Sequence, residues 1–265
     1  MRARSLSELL ISASIERSGT GEVAGSRPEG FEVEYVDADG VRRRVKLAEC
    51  WTEPFGRLPP VRTVRSYPGQ KSVTRQYWAA TTRGPLLVES HLERHHAMLL
   101  DFDPQVKGLA AQPFRLFWPT RRGRRGHVPD FFARRADGEG LVVDVRPDNR
   151  IEPDDAEAFA ATERACELAG WRFARVGEVE AVLLANVKWL AGYRHPRYDR
   201  PERRQALLKV FAAPEGLFTG AGRVGDRLEV LPVLYHLLWR QLLHVDLGKA
   251  VLGPDSMVKP AERIR

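Results

Sequence analysis

The stretch that most constrains the fold runs from Arg121 to Pro147. It contains two segments rich in β-branched and aromatic residues, on either side of a polar turn at residues 135–140 whose Asp-Gly and Glu-Gly steps are typical of hairpins. Asp130 precedes the first segment, and Asp144 ends the second, where proline stops ladder pairing. Because the start of one antiparallel strand lies beside the end of the next, the two carboxylates are predicted to meet at one end of a sheet.

Two carboxylates in this position indicate a site for a divalent cation, since hard cations take several oxygen ligands at about 2.0–2.5 Å. Asp144 lies among four apolar neighbours, where a carboxylate is costly without a cation or a partner. The alternative for Asp144 is an ion pair with Arg146 or with a core arginine. The alternative for Asp130 is an ordinary role at the start of a strand.

The charge of the chain favours an anionic partner. Its 265 residues carry a net charge of +7, with 43% apolar residues, enough for a sizeable core. A basic chain of this kind is expected to bind nucleic acid, although many basic proteins are merely soluble. Cys50 and Cys166 form no Cys-x-x-Cys pair and are expected to be buried thiols. No apolar run approaches the ~20 residues of a membrane span, so we expect a cytoplasmic protein.

The hydrophobic pattern predicts a tail and two domains: a flexible N-terminal tail or short docking helix at 1–30, an α/β domain at 31–177, and a mainly helical domain at 178–265. The predicted elements of the α/β domain are a hairpin at 31–36 and 41–47, an irregular arm at 48–82, a helix at 85–100, a strand at 106–117, the central hairpin, a helix at 153–169 and a strand at 171–176. This order predicts a mixed sheet flanked by helices.

Residues 178–265 differ in character. Helical patterns occur at 179–193, 201–211 and 231–244, and the stretch 245–258 is compatible with a small β-hairpin. Three helices and a hairpin predict a winged-helix-like module that binds DNA or a partner protein.

The motifs around the central hairpin resemble those of a known family. Pro129-Asp130, followed fourteen residues later by Asp144-Val145-Arg146, resembles the Pro-Asp…(Asp/Glu)-x-Lys signature of restriction-endonuclease-fold nucleases. The surrounding sequence is similar to that of TnsA-like endonuclease subunits of heteromeric transposases, over roughly residues 60–176. The motifs that carry this similarity are Val88-Glu-Ser-His-Leu-Glu93, Asp101-Phe-Asp-Pro104, Gln112-Pro113-Phe114, His127-Val-Pro-Asp-Phe131 and Val143-Asp-Val-Arg-Pro147.

The resemblance implies a restriction-endonuclease-like fold and a metal-dependent nuclease that cuts one strand at transposon ends. It implies Mg²⁺, with Mn²⁺ as a possible substitute, held by Glu93, Asp130, Asp144 and the carbonyl of Val145. It also implies double-stranded DNA as substrate, a separate transposase subunit and an ATP-dependent regulator. The alternative for Glu93 and Glu89 is a solvated helix face, which on pattern alone is the more common case.

Arg146 departs from the family signature, which has lysine at this position. A lysine can orient water or transfer a proton, whereas arginine stays charged and cannot act as a base. Arginine can still bind a phosphate through two donors and stabilise transition-state charge. The sequence therefore leaves open a working nuclease in which Arg146 takes part in catalysis, a catalytically silent DNA-binding subunit, and a free-standing defence or repair nuclease.

Basic residues beside the predicted site are candidates for DNA binding. The densest run is predicted to be a flexible loop that reaches phosphates near the scissile bond, with a solvated loop as the alternative. The candidate DNA-binding residues are Arg121, Arg122, Arg124, Arg125 and His127. His127 is also compatible with an ordinary loop histidine, and His91, His95 and His96 are expected on a helix surface. A second basic cluster, with tyrosines, lies at residues 193–204 and could face DNA or an acidic partner.

Overall fold

The computed structural model describes residues 30–62, 75–121 and 123–261. These residues form a mixed α/β structure with several antiparallel sheets and seven α-helices. The chain divides into two compact units, Met1–Glu178 and Val179–Arg265. The predicted tail lies outside the described residues except for Gly30. No helix in the described part of the chain is both long enough and apolar enough to cross a bilayer.

The first unit contains ten strands and three helices among its described residues. The strands are β1 (Glu32–Val36), β2 (Arg42–Lys46), β3 (Arg75–Ala79), β4 (Gly84–Val88), β5 (Val106–Ala111), β6 (Arg115–Thr120), β7 (Gly123–His127), β8 (Phe131–Arg135), β9 (Gly140–Val145) and β10 (Arg172–Val176). The helices are α1 (Leu47–Cys50), α2 (His91–Phe102) and α3 (Pro153–Ala169).

The central sheet has the order β10-β9-β8-β5 and is mixed. Strands β8 and β9 form the predicted hairpin, with Phe131 opposite Val143, and β10 pairs with β9 in parallel. The run 141–143 is fully buried in β9, as expected for a strand covered on both faces. The predicted hairpin and the mixed sheet are confirmed.

A cluster of aromatic rings fills the core beside this sheet. Phe55 lies at its centre, with ring centroids 5.0–5.7 Å from those of Tyr35, Phe114, Phe132 and Trp171. Phe55 belongs to a short 3-10 helix, in the segment predicted to be an irregular arm with its own anchors. The edge-on arrangement of most of these rings is the favoured geometry for aromatic pairs, and their burial anchors the segment to the sheet.

A second sheet, with the order β2-β1-β6-β7, is antiparallel throughout. Its β1–β2 hairpin is confirmed, but the single strand predicted at 106–117 is wrong. Gln112 has a φ of +44° and breaks that segment into β5, in the central sheet, and β6, in the second sheet. The prediction of a flexible arginine loop is also wrong over residues 123–127, because these residues form β7, which is hydrogen-bonded to β6.

The helix predicted from residue 85 begins later. Residues 84–88 form β4, which pairs with β3, and α2 starts at His91. The Ser90 side chain accepts a hydrogen bond from the Glu93 amide and caps the helix at this point. β3 also shows that the arm predicted at 48–82 is not irregular throughout.

Helix α3 was predicted correctly. Pro153 occupies its first turn, and Glu152 and Asp155 form reciprocal capping hydrogen bonds. Gly170 ends the helix with a φ of +67°, a conformation that glycine adopts without strain. Both cysteines are buried and free, as expected.

The described part of the second unit, residues 179–261, has four α-helices and a small sheet. The helices are α4 (Ala181–Ala191), α5 (Pro201–Val210), α6 (Leu217–Val224) and α7 (Arg227–Trp239). The three predicted helices are present, and α6 was missed. The predicted hairpin at 245–258 is wrong, because β13 (Met257–Pro260) pairs with β11 (Glu215–Gly216) and β12 (Leu243–His244), two segments outside that stretch.

We predict that Gly140→Ala destabilises the protein, because a Cβ atom there would lie 2.7 Å from Trp171 Cδ1 and 2.9 Å from Phe132 Cζ. Overpacking of a core typically costs about 1–3 kcal/mol of the free energy of unfolding. Urea unfolding of the full chain measures the effect. Gly84→Ala is the matched control, since the nearest atom to its new Cβ is 3.9 Å away and its stability should stay near that of the parent.

Candidate active site

The two hairpin aspartates and the helix glutamate line one cleft of about 410 Å³ in the first unit. Glu93 comes from α2, Asp130 directly precedes β8, and Asp144 lies near the end of β9. Val145 also lines the cleft, together with His127 and Arg146. The predicted metal and catalytic residues are therefore brought to the same place.

Asp144 is the most enclosed of the three acids, at 2% exposure. Its Oδ1 accepts a hydrogen bond from His127 Nε2 at 2.9 Å. Its Oδ2 is buried and has no hydrogen-bond partner among the described residues. The alternative of an ion pair between Asp144 and Arg146 is wrong, because Arg146 pairs with another carboxylate.

Asp130 is held by the backbone of the neighbouring strand. Its Oδ2 accepts a hydrogen bond from the Val145 amide at 2.7 Å. Burial, followed by the nearby negative charges of Asp144 and Glu93, raises the pKa of Asp130 well above its ordinary value. The Asp130 carbonyl also accepts a hydrogen bond from the amide of Gln112, the buried residue with positive φ.

Glu93 serves the helix as well as the cleft. Its amide donates to Ser90 Oγ at 3.0 Å, and its Oε2 accepts from the Glu89 amide at 2.8 Å. Ser-x-x-Glu is a sequence signature of a helix start, and it locates the beginning of α2. Burial raises the pKa of Glu93, which is 8% exposed. Glu89 forms an ion pair with Arg62 at 2.8 Å.

The donor set fits a divalent cation by its chemistry. Ionised Asp130, Asp144 and Glu93 would repel one another in this enclosed cleft, and a cation would offset that repulsion. Asp144 Oδ2 is a buried acceptor that no group in the described part of the chain satisfies. Within the described residues, however, no three acidic, histidine or cysteine side chains already form a group arranged to hold a metal. The metal-binding roles therefore stay predictions.

His127 has a more specific place than a loop histidine. It ends β7, and its imidazole lies edge-on to Phe159 with 6.3 Å between ring centroids. Burial lowers the pKa of His127, but the charge and hydrogen bond of Asp144 outweigh burial and hold the pKa above its ordinary value. The histidine thus fixes the orientation of the Asp144 carboxylate.

Arg146 makes a two-pronged ion pair with Asp155 on α3. Its Nε and Nη2 lie 3.0 and 2.7 Å from Asp155 Oδ2, and Nη2 also lies 2.9 Å from Oδ1. Asp155 lines the cleft too, and was missed as a site residue. The capping position of Asp155 in α3 was the available signal, since it places the carboxylate at the turn after β9.

Two of the four predicted DNA-binding arginines are already paired with acids. Arg124 contacts Glu32 at 2.6 Å, and Arg125 contacts Glu157 at 2.7 Å. Exposed ion pairs of this kind contribute little to stability, so phosphates can compete for these arginines. Arg121 is exposed, and Arg122 lies outside the described residues.

Two further arginines, Arg62 and Arg115, line the cleft and were not predicted.

His96 was expected on the helix surface, but it is buried. It is 2% exposed, and its Nε2 donates to the Gly177 carbonyl at 2.7 Å. Burial is the main cause that lowers the pKa of His96 to about 4. The bond joins α2, one turn after Glu93, to the segment that follows β10.

Comparisons with known proteins do not place the chain in a family. No protein-family model matches the sequence, and no curated protein is significantly similar to it. The similarity to TnsA-like endonucleases therefore stays a prediction drawn from the motifs.

We predict that Asp130→Asn stabilises the metal-free protein at neutral pH. The fold raises the pKa of this acid, so its ionisation costs stability as pH rises through the raised pKa. The amide keeps an acceptor for the Val145 N–H and removes the charge, for a gain of roughly 1 kcal/mol. Thermal unfolding of the parent and the variant in EDTA at about pH 7.5 measures this gain in stability.

The control is Asp39→Asn, which changes an exposed acid in the β1–β2 turn and should leave the melting temperature unchanged. Added Mg²⁺ or Mn²⁺ should stabilise the parent and not Asp130→Asn. If Asp130→Asn were less stable than the parent without metal, the proposed repulsion between ionised Asp130 and the neighbouring carboxylates would be contradicted.

Proposed function

We propose that this protein is a divalent-metal-dependent DNA endonuclease with a restriction-endonuclease-like first unit. The observation that carries the proposal is the convergence of Glu93, Asp130 and Asp144 on one cleft, where Asp144 Oδ2 is buried without a hydrogen-bond partner from the residues that the structure describes. Paired buried acids beside exposed arginines suit phosphodiester hydrolysis better than a purely structural role.

Glu93, Asp130 and Asp144 would hold one or two Mg²⁺ ions, or Mn²⁺ in their place, with the Val145 carbonyl as a further ligand. When bound, the metal would supply an activated water and neutralise charge on the scissile phosphate. The Val145 amide holds Asp130 and His127 holds Asp144, so both carboxylates are oriented before substrate binds.

The chain's own cations would bind the DNA backbone. Arg62, Arg115 and Arg146 line the same cleft, and their guanidinium groups can contact phosphate with two donors. Arg62 and Arg146 are each more than 40% exposed, in contrast to the buried acids. A duplex bound there would place phosphates at the arginines and the scissile bond towards the carboxylates.

The biological setting that the motifs favour is transposition. We infer a cytoplasmic TnsA-like subunit that cuts one strand at transposon ends, beside a separate transposase subunit and an ATP-dependent regulator. A winged-helix-like role of the second unit, in DNA or partner binding, belongs to the same proposal. The identity of the neighbouring genes distinguishes this setting from a free-standing nuclease.

Asp130→Ala and Asp144→Ala should each reduce metal-dependent nicking of supercoiled plasmid by at least about 100-fold, because each removes a charged group from the reacting centre. DNA binding in EDTA should stay within a few-fold of the parent. Glu167→Ala is the control, since this exposed acid at the far end of α3 lies outside the cleft. Nicking at the parental rate by both aspartate variants would show that the site is misassigned.

A catalytically silent DNA-binding subunit is the second candidate. The observation in its favour is that Arg146 occupies the lysine position of the nuclease signature and is held by Asp155. Calorimetry separates the two candidates, because a catalytically silent site should take up neither Mg²⁺ nor Mn²⁺, whereas the proposed nuclease site should bind at least one of them.

Arg146→Lys should keep or raise the nicking activity, because lysine retains the positive charge and restores the residue that the signature has at this position. Single-turnover nicking measures the effect, with Arg164→Lys on the exposed face of α3 as the control. A fall of about 100-fold would show instead that the two-pronged contact of the guanidinium has a role of its own.

A further inference from the structure

Four aromatic rings form a continuous cluster in the second unit, which we call the aromatic platform: Trp189, Tyr193, Tyr198 and Tyr235. Trp189 projects from α4, and its ring lies perpendicular to that of Tyr235 on α7, with centroids 5.7 Å apart. Tyr193 connects the set, at 6.0 Å from Trp189, 4.9 Å from Tyr235 and 5.2 Å from Tyr198. The rings therefore support one another.

Trp189 is held in place and still open to solvent. Its side chain is 53% exposed, although Tyr235 beside it is buried. Tryptophan has the largest apolar surface of any residue, and an indole that is fixed by neighbours while exposing more than half its area is typical of binding surfaces. The platform thus presents an indole that is packed against neighbouring rings and open to solvent.

The segment that carries most of the platform is strongly basic. Residues 188–204 contain six lysines and arginines and two acids. Arg203 and Arg204 are neutralised by Glu229 and Asp199. Lys188, Arg197 and Arg200 have no ion pair with an acid among the described residues. Arg197 lies over the Tyr198 ring, 4.9 Å from its centroid, so positive charge extends onto the platform itself.

We propose that the aromatic platform binds single-stranded nucleic acid, with an unpaired base stacked on Trp189 and the adjoining phosphates near Lys188, Arg197 and Arg200. Stacking needs an accessible base face, which a duplex hides between neighbouring pairs. A single strand would satisfy both features at once, because its phosphates pair with the cations and its bases stack on the indole. The proposal does not depend on the cleavage chemistry of the first unit.

Binding of the full-length protein to a fluorescein-labelled oligothymidylate of about 15 nucleotides, measured by fluorescence anisotropy in EDTA, tests the proposal. Trp189→Ala should weaken binding by about tenfold, the usual effect of removing one stacking ring. Trp189→Phe, which keeps a π face, should stay within about threefold of the parent. Trp189→Leu, equally apolar but without a ring, should bind as weakly as the alanine variant.

Trp51→Ala is the matched control, because Trp51 is also 53% exposed but lies in the first unit between Glu49 and Glu53. It should bind the oligonucleotide like the parent. Parental binding by Trp189→Ala, or full binding by Trp189→Leu, would overturn the proposal, because either result would show that oligonucleotide binding does not depend on an aromatic ring at this position. Plasmid nicking by the same variants keeps this outcome separate from that of the proposed nuclease activity.

Discussion

The hydrogen bond from the Val145 amide to Asp130 is the contact on which the candidate site depends. It joins the residue before β8 to the last residue of β9, so that the two ends of the hairpin close on each other. The antiparallel register brings the two aspartates to one edge, and this bond sets where the Asp130 carboxylate points. Helix α2 then adds Glu93, and His96 ties that helix to the segment after β10.

The sequence was most informative where local rules and burial agree. The central hairpin has turn residues between two apolar segments, and α3 has proline at its start and glycine after its end, so each could be located from a few residues. The convergence of Asp130 and Asp144 followed from hairpin geometry alone. For Glu93, the position relative to the hairpin came from the family motifs, because nothing local relates α2 to β8.

The errors arose where tertiary structure overrides a local pattern. Residues 106–117 look like one strand, but the positive φ of Gln112 lets β5 and β6 enter different sheets. The missed strand β4 alternates buried and exposed residues too briefly to be separated from the helix that follows. Ion pairs such as Arg124–Glu32 join residues that are 92 positions apart, and no spacing in the sequence specifies them.

The acidic start of α3 has a consequence for how DNA would be bound. Asp155 holds Arg146, and Glu157 and Asp154 hold Arg125, so this helix end occupies the arginines that phosphates would contact. An incoming strand must exchange one carboxylate partner for a phosphate at each of them. DNA binding would then release fewer of the counterions condensed on DNA than the number of arginines suggests. The affinity for DNA would therefore fall less steeply with ionic strength than the affinity of a groove whose arginines are unpaired.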